Sequence, residues 1–246
     1  YIKIKYPFWS KLYMYHTYNI LYKFNKEGII NNNPVDITKW NNINNIKLIK
    51  YENCMKNDKE LIFNFIYLNN DIVKNEIYKP KLHDIFVKYN ANRNCSMLLY
   101  FEKNYKIYGI NNSNPLYGIL MSRPVNIKIN NNSVIANFLD NILIKKNTSN
   151  NTIKEELIYT YITHESKQNN NLICLFKFNG KLTVPINTLI SYKIYFYNIA
   201  NWNNKIRLPS IYQTKLITSK NIYVIKDIIF EIFNLRYKCC ILPYMV

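Results

Sequence analysis

The chain has 246 residues, 33 Lys+Arg against 15 Asp+Glu, a formal net charge of +18, and a content of 48% hydrophobic and 15% aromatic residues. It is too apolar for a disordered chain and long enough for one or two domains with a real core. No apolar run approaches the roughly 18 residues of a spanning helix, which excludes an integral membrane protein, and four glycines exclude most Gly-rich phosphate-cradling loops.

In chain order, residues 1–24 alternate apolar and polar positions, as one or two strands or an extended arm. The Tyr1–Tyr6 stretch is strand-like and not a signal peptide, and the missing Met suggests a sequence that begins inside the gene product. Asn31-Asn32-Asn33-Pro34 reads as a turn or linker. Residues 58–70 contain Leu61-Ile62-Phe63, a strand or a buried helix, and 80–89 place Leu82, Ile85 and Phe86 at helical spacing. Residues 96–110 read as two strands around Lys103-Asn104. Val125 to Ile129 is an alternating strand closed by an Asn run, with 142–145 a candidate partner.

Residues 147–171 are polar and broken, which marks a boundary. After it, 172–178 is a strand, Asn179-Gly180 a hairpin turn, 181–186 the return strand and 192–196 another. Residues 206–208 and 213–218 follow as strands. Ser219 or Asn221 then caps a helix with Ile222, Ile225, Ile228/Ile229 and Ile232 on one face, ending near Arg236 ahead of Pro243. The expected fold class is α+β: an antiparallel sheet with one helix packed on it in the C-terminal domain, after a mixed, strand-rich N-terminal region. The expected division is 1–120 as an extension, 121–171 as the remnant of a first domain with a linker, and 172–246 as the C-terminal domain.

Composition carries a warning. The 42 Asn, 39 Ile, 29 Lys and 23 Tyr stand against 3 Ala and 4 Arg, the pattern of AT-biased coding in an organelle or reduced parasite. Yet the charge is uneven. Residues 1–51 carry a net +6, residues 52–102 are neutral and residues 166–246 carry +9 with only Asp227 and Glu231 as acids. Cheap Glu codons make that shortage of acids a matter of selection, and it suggests a surface facing a polyanion. Lys greatly outnumbers Arg, so phosphate contact is favoured over bidentate base reading.

Catalytic and metal patterns are not found. Cys54, Cys95, Cys174, Cys239 and Cys240 are odd in number and without C-x-x-C spacing, which favours a reducing compartment over a disulfide scaffold. Cys239 and Cys240 read as small apolar residues packed in a terminal strand. His83-Asp84 and His164-Glu165 are isolated from any metal frame, and His83 reads as a surface or satisfied core residue. Glu155-Glu156 reads as solvent-facing. No catalytic residue, metal or cofactor is expected.

The C-terminal third resembles a known family. Phe176-Lys177-Phe178-Asn179-Gly180-Lys181-Leu182, Leu189-Ile190-Ser191-Tyr192-Lys193-Ile194, Thr214-Lys215-Leu216-Ile217-Thr218, Glu231-Ile232, Arg236 and Leu242-Pro243-Tyr244 follow one another. In that order they resemble the C-terminal domain of the universal large-subunit ribosomal protein six family, bacterial or organellar in type. The resemblance implies a non-enzymatic constituent of a mitochondrial (alternatively plastid) ribosome. Its partners would be large-subunit rRNA near the factor-binding region and neighbouring ribosomal proteins, with no membrane and no small-molecule substrate. Lys177, Lys181, Lys193, Lys205, Arg207, Lys215, Arg236 and Lys238 would be its RNA-binding residues. The alternative is a structural or protein-interaction protein of an AT-rich parasite or virus with no nucleic-acid role.

Overall fold

The computed structural model describes residues 2–24, 42–69, 80–90, 94–110, 114–129, 132–146, 148, 152–168, 173–177, 184–191, 193, 221–236 and 239–243. Six strands form one sheet: β1 (Ile46–Lys50), β2 (Ser96–Phe101), β3 (Leu116–Ile129), β4 (Asn132–Ile144), β5 (Cys174–Phe176) and β6 (Cys239–Pro243). The described helices are α1 (Ile2–Lys5), α2 (Lys56–Asn69), α3 (Leu82–Asn90), α4 (Tyr105–Tyr108), α5 (Ile153–Gln168) and α6 (Ile222–Arg236). The class is α+β, and the arrangement differs from the expected one.

The strand order is β1-β2-β3-β4-β5, antiparallel as far as β4. The last pair, β4 with β5, is parallel, and α5 makes the crossover between them. β6 pairs antiparallel with β3 over Val125–Ile129, beyond the point where β2 stops at Ser122. Pro124 falls in the gap between these two partners, where the missing N–H breaks no rung of either ladder.

β2 is buried along its whole length because both faces of the sheet are covered. On one face Leu98, Leu120 and Leu139 meet Leu157, Ile158 and Tyr161 of α5 and Phe8, Trp9 and Leu12 of the N-terminal arm. On the other, Met97, Leu99, Ile119 and Met121 meet Ile62, Phe65 and Ile66 of α2 and Ile85, Phe86 and Tyr89 of α3. Gly118 lets α5 approach β3: a Cβ there would lie 3.0 Å from Ile153 Cγ2 and 3.1 Å from Leu157 Cδ1.

Several expectations are corrected. The N-terminal arm is helical turns with one isolated bridge, His16 to Ile186, because its aromatics dock individually into the core instead of pairing as a strand. Residues 58–69, read as a strand or a buried helix, belong to helix α2, the second of those alternatives. The second strand expected in 96–110 is the short α4, capped by the Asn104 side chain accepting from Lys106 N and ended by Gly109 at φ 68°. The polar segment 147–171 contains α5, with Thr152 at its start and Ile153, Leu157, Ile158 and Tyr161 buried on one face. Instead of separating domains, it supplies the core of the sheet's face.

The carboxy-terminal third does not form a sheet of its own in its described parts: β5 extends β4 and β6 extends β3. One sheet therefore runs across residues 120/121 and 171/172. The expected hairpin at Asn179-Gly180 and the strands over 194–218 lie outside the described residues, while α6 and the terminal strand at Cys239-Cys240 form where the pattern put them.

Candidate active site at the β4–α5–β5 unit

β4 carries a bulge. Met121 faces Asn141 while Ser122 faces Leu139, so Asp140 is the extra residue. A bulge interrupts the alternation of faces, bends the strand and leaves one residue outside the ladder, and such features recur beside active sites. Here Asp140 and Asn141 both turn to the α3 face. The Tyr89 hydroxyl donates to Asp140 Oδ1, and Asn141 Nδ2 donates to the Tyr89 oxygen at 3.3 Å. Lys88 Nζ lies 2.6 Å and Arg123 Nε 3.3 Å from Asp140 Oδ2.

Next to the bulge the described pairing on the outer side of β4 ends. β5 accompanies β4 only from Asn137 to Leu139, and Lys177 N closes the pairing on Leu139 O at 3.0 Å. Among the described residues no strand pairs with the outer edge of β4 from Asp140 to Ile144. Five residues of strand span roughly 17 Å. From the bulge, beside the exposed Lys177, β4 runs to Lys145 and Lys146, and the amino end of α5 lies one strand further in, with Ile153 over Gly118 of β3. The Lys145 ammonium sits 4.5 Å over the Tyr117 ring.

The amino end of α5 offers the positive end of a helix dipole. Two acids, Glu155 and Glu156, stand in its first turn. Glu156 is committed: Oε1 accepts from Thr152 Oγ1 at 2.9 Å and Oε2 from Asn42 Nδ2 at 2.8 Å. Both are half-buried, where the sequence pattern put them in solvent. Burial holds the Lys154 amine below its ordinary pKa.

Under α5 lies a second polar group of residues. Glu165, 4% exposed, accepts from Asn137 Nδ2 at 3.3 Å and from Ser96 Oγ at 3.5 Å, with His164 Nδ1 3.7 Å away. The neighbouring Cys174 thiol is pushed up to about 12 by burial and by the Glu165 charge, and burial raises the Tyr161 phenol strongly. Cys95 is likewise pushed up to about 12, chiefly by burial. These thiols stay protonated at neutral pH and are no thiolate nucleophiles. No group of three or more His, Cys, Asp or Glu among the described residues could hold a metal, and no described helix is long and apolar enough to cross a membrane.

Of the eight basic residues picked from sequence, Lys177 and Lys193 are exposed and Arg236 ends α6. Lys181, Lys205, Arg207, Lys215 and Lys238 lie outside the described residues. His83 is exposed on α3. Sequence reasoning missed Asp140, Tyr89, Glu165 and the stretch of β4 that no described strand pairs on its outer side. A bulge leaves no mark in the alternation of Asn137-Phe138-Leu139-Asp140-Asn141, whereas Thr152 followed by Glu155-Glu156 was a usable helix-start signal.

No protein-family model matches the chain, and no curated protein matches it. Solved structures do. A transcriptional regulator from Bacillus halodurans C-125 matches at 8% identity over 55% of this chain and 82% of that one, TM-score 0.38. The ribosomal-protein-alanine N-acetyltransferase of Brucella melitensis biovar Abortus 2308 matches at 12% identity over 61% and 99%, TM-score 0.38. A putative acetyl transferase from Pyrococcus furiosus matches at 12% identity over 61% and 99%, TM-score 0.35. In a fungal multi-domain β-N-acetylglucosaminidase carrying a GCN5-related glucosamine N-acetyltransferase region, the match spans 14% of that chain. At TM-scores below 0.4 the likeness carries no argument for activity.

The ribosomal reading is corrected by the topology: among the described residues β5 and β6 complete the sheet of residues 46–144, where the resemblance required a C-terminal domain with a sheet of its own. The non-enzymatic assignment, the rRNA and ribosomal-protein partners and the exclusion of a small-molecule substrate were implied by that resemblance and lose their basis with it.

Proposed function

We propose that the chain is an acyl-group transferase whose acyl donor is an extended, phosphate-bearing thioester lying along the open edge of β4. The observation that carries this reading is the juxtaposition of that edge with the Asp140 bulge at one end and the amino end of α5 with Lys145 and Lys146 at the other. Backbone groups of an unpaired strand edge suit a ligand rich in amides, which can add to the sheet as a short strand would. Cations and a helix amino end suit its phosphates. The reacting carbonyl then falls near the bulge.

The residues fit such a donor in one respect and depart in another. The segment Lys145-Lys146-Asn147-Thr148-Ser149-Asn150-Asn151-Thr152 has no glycine, so the phosphates are held by side-chain charge and hydroxyls and not by a Gly-rich backbone cradle. Binding is accordingly salt-sensitive.

Coenzyme A and acetyl-coenzyme A are the probes, titrated calorimetrically into the full chain. Micromolar binding is expected, weakened several-fold by Lys145→Glu or Lys177→Glu and by raising salt from 50 to 300 mM. Acetyl-coenzyme A should also release free thiol in the presence of an amine acceptor. Absence of binding at millimolar ligand to the folded protein overturns the reading.

A further inference from the structure

We infer that the N-terminal arm, together with the segment that pairs with it, is a docking surface for the face of a membrane bearing anionic lipids. The inference does not depend on the transferase reading, because it rests on what the arm exposes and on its charge.

The arm stands on a firm footing, with Phe8, Trp9 and Leu12 sunk in the core on the α5 face. Beyond them it is held by residues 184–191. Thr17 N donates to Pro185 O at 3.1 Å, Asn187 N donates to Tyr15 O at 2.9 Å, and His16 bridges to Ile186 between the two. What this anchored unit turns to solvent is apolar. Among the described residues nine large apolar side chains are at least 65% exposed, and six of them are Ile4, Ile20, Leu21, Phe24, Leu189 and Ile190. Leu21 and Phe24 stand one turn apart in the 3₁₀ helix Ile20–Phe24, where residues i and i+3 eclipse. Exposed apolar residues scattered singly are ordinary, but most of the strongly exposed ones on a single unit mark an interaction surface.

The same unit is basic. No Asp or Glu occurs from residue 1 to 26 or from 166 to 226, while Lys3, Lys5 and Lys11 are exposed on the arm and Lys193 follows Leu189-Ile190. With 33 basic residues against 15 acids in the chain, internal pairing cannot neutralise the excess. The partner is therefore anionic and apolar at once. Ile and Leu neither stack on bases nor hydrogen-bond to them, which disfavours a nucleic acid. A protein groove reads a continuous stripe of anchors, whereas these side chains stand on short turns and a bridged segment. A bilayer interface supplies both terms without a shape match: acyl chains take Ile, Leu and Phe, and anionic headgroups take the lysines. Docking of this kind needs no spanning helix.

Full-length protein is co-sedimented with vesicles of phosphatidylcholine alone and of phosphatidylcholine with phosphatidylserine at about 2:1. It should pellet with the second, stay in solution with the first, and be released as salt rises. Lys3→Glu with Lys11→Glu should weaken partition at least about thirtyfold, from roughly fivefold per lysine near an anionic surface. Leu21→Asn with Phe24→Asn should weaken it about tenfold. The thermal midpoint of that double variant should not move, since both side chains already stand in water. Met55→Asn with Ile107→Asn, equally exposed but off the arm, should bind as the wild type does. The added fluorescence of Phe24→Trp should be quenched by vesicles whose acyl chains carry bromine, a readout that needs no loss of binding. Equal pelleting without phosphatidylserine, an unquenched Phe24→Trp, or an equal loss in the Met55, Ile107 control overturns the surface. Binding lost with the lysines but kept without Leu21 and Phe24 overturns it in favour of a hydrophilic polyanion. No pelleting, with a dimer in sedimentation velocity that Leu21→Asn with Phe24→Asn abolishes, overturns it in favour of a second copy of the chain.

Discussion

Single residues in this protein show how burial sets chemistry. Cys95 and Cys174 have thiols held at about 12 against an ordinary 9.0, and the Tyr100 phenol is raised to about 12, chiefly by burial and then by the Glu156 charge. In the unfolded chain these groups release their protons near their ordinary values. Between about pH 9 and 12 the folded state therefore binds more protons than the unfolded one, and stability falls as pH rises through that window. Below pH 9 the contribution is fully present. Lys154, lowered by burial, works with the opposite sign but is one group against several. The urea midpoint should hold steady from pH 7 to 8.5 and drop between pH 9 and 11, with a shallower drop in Cys95→Ala. A midpoint unchanged at pH 11 would contradict the burial of both thiols.

Elements differ in how firmly the sheet holds them. Helix α5 buries Leu157 and Ile158 completely beneath the sheet, and the absent side chain of Gly118 lets it come close. Helix α6 has a comparable apolar pattern, yet Ile222 and Ile228 are each 50% exposed. Of the Ile-rich face that its periodicity suggested, Ile222 and Ile228 stay half in water, while Ile225 is half-buried. Leu157→Asp buries a charge with no partner and should cost several kcal/mol, enough to unfold a domain of ordinary stability. Ile228→Asp should cost no more than about 1 kcal/mol, since the residue stays half in water. Chemical denaturation of the two variants side by side distinguishes them, and comparable losses would put α6 in the core.

At the scale of the whole molecule, the sheet is assembled from distant parts of the chain. β1, β2, β3 and β4 come from the middle, β5 from after α5 and β6 from near the end. Phe8 and Trp9 of the N-terminal arm close the core on the α5 face at 0% and 5% exposure. An isolated 172–246 fragment would leave β5 and β6 without the strands they pair with, so it should lack cooperative thermal unfolding and should show no dispersed amide spectrum. A fragment that melts cooperatively on its own would show that the carboxy-terminal third is a separate folding unit.

The sequence by itself determined those features whose signals are local. The periodicity of Leu82, Ile85 and Phe86 marked α3, the alternation of Val125 to Ile129 marked the end of β3, and the isoleucines with Pro243 beyond them bounded α6. The sequence showed the α+β class in the order of its strand and helix signals, and the net charge in its composition. It could not determine which strand lies beside which, because pairing is decided by burial against α2, α3 and α5 and not by any one segment's pattern. Only the tertiary structure turned the Asn-flanked stretch 153–168 into a core helix, its apolar face too diluted by Thr, Glu and Lys to stand out. It alone made β5 parallel to β4 and placed the Asp140 bulge that sets Tyr89, Lys88 and Arg123 around one carboxylate. Those three come from α3 and β3, far apart in sequence from Asp140 or on another strand. Their meeting is a product of register and twist that the free energy of the whole sheet selects.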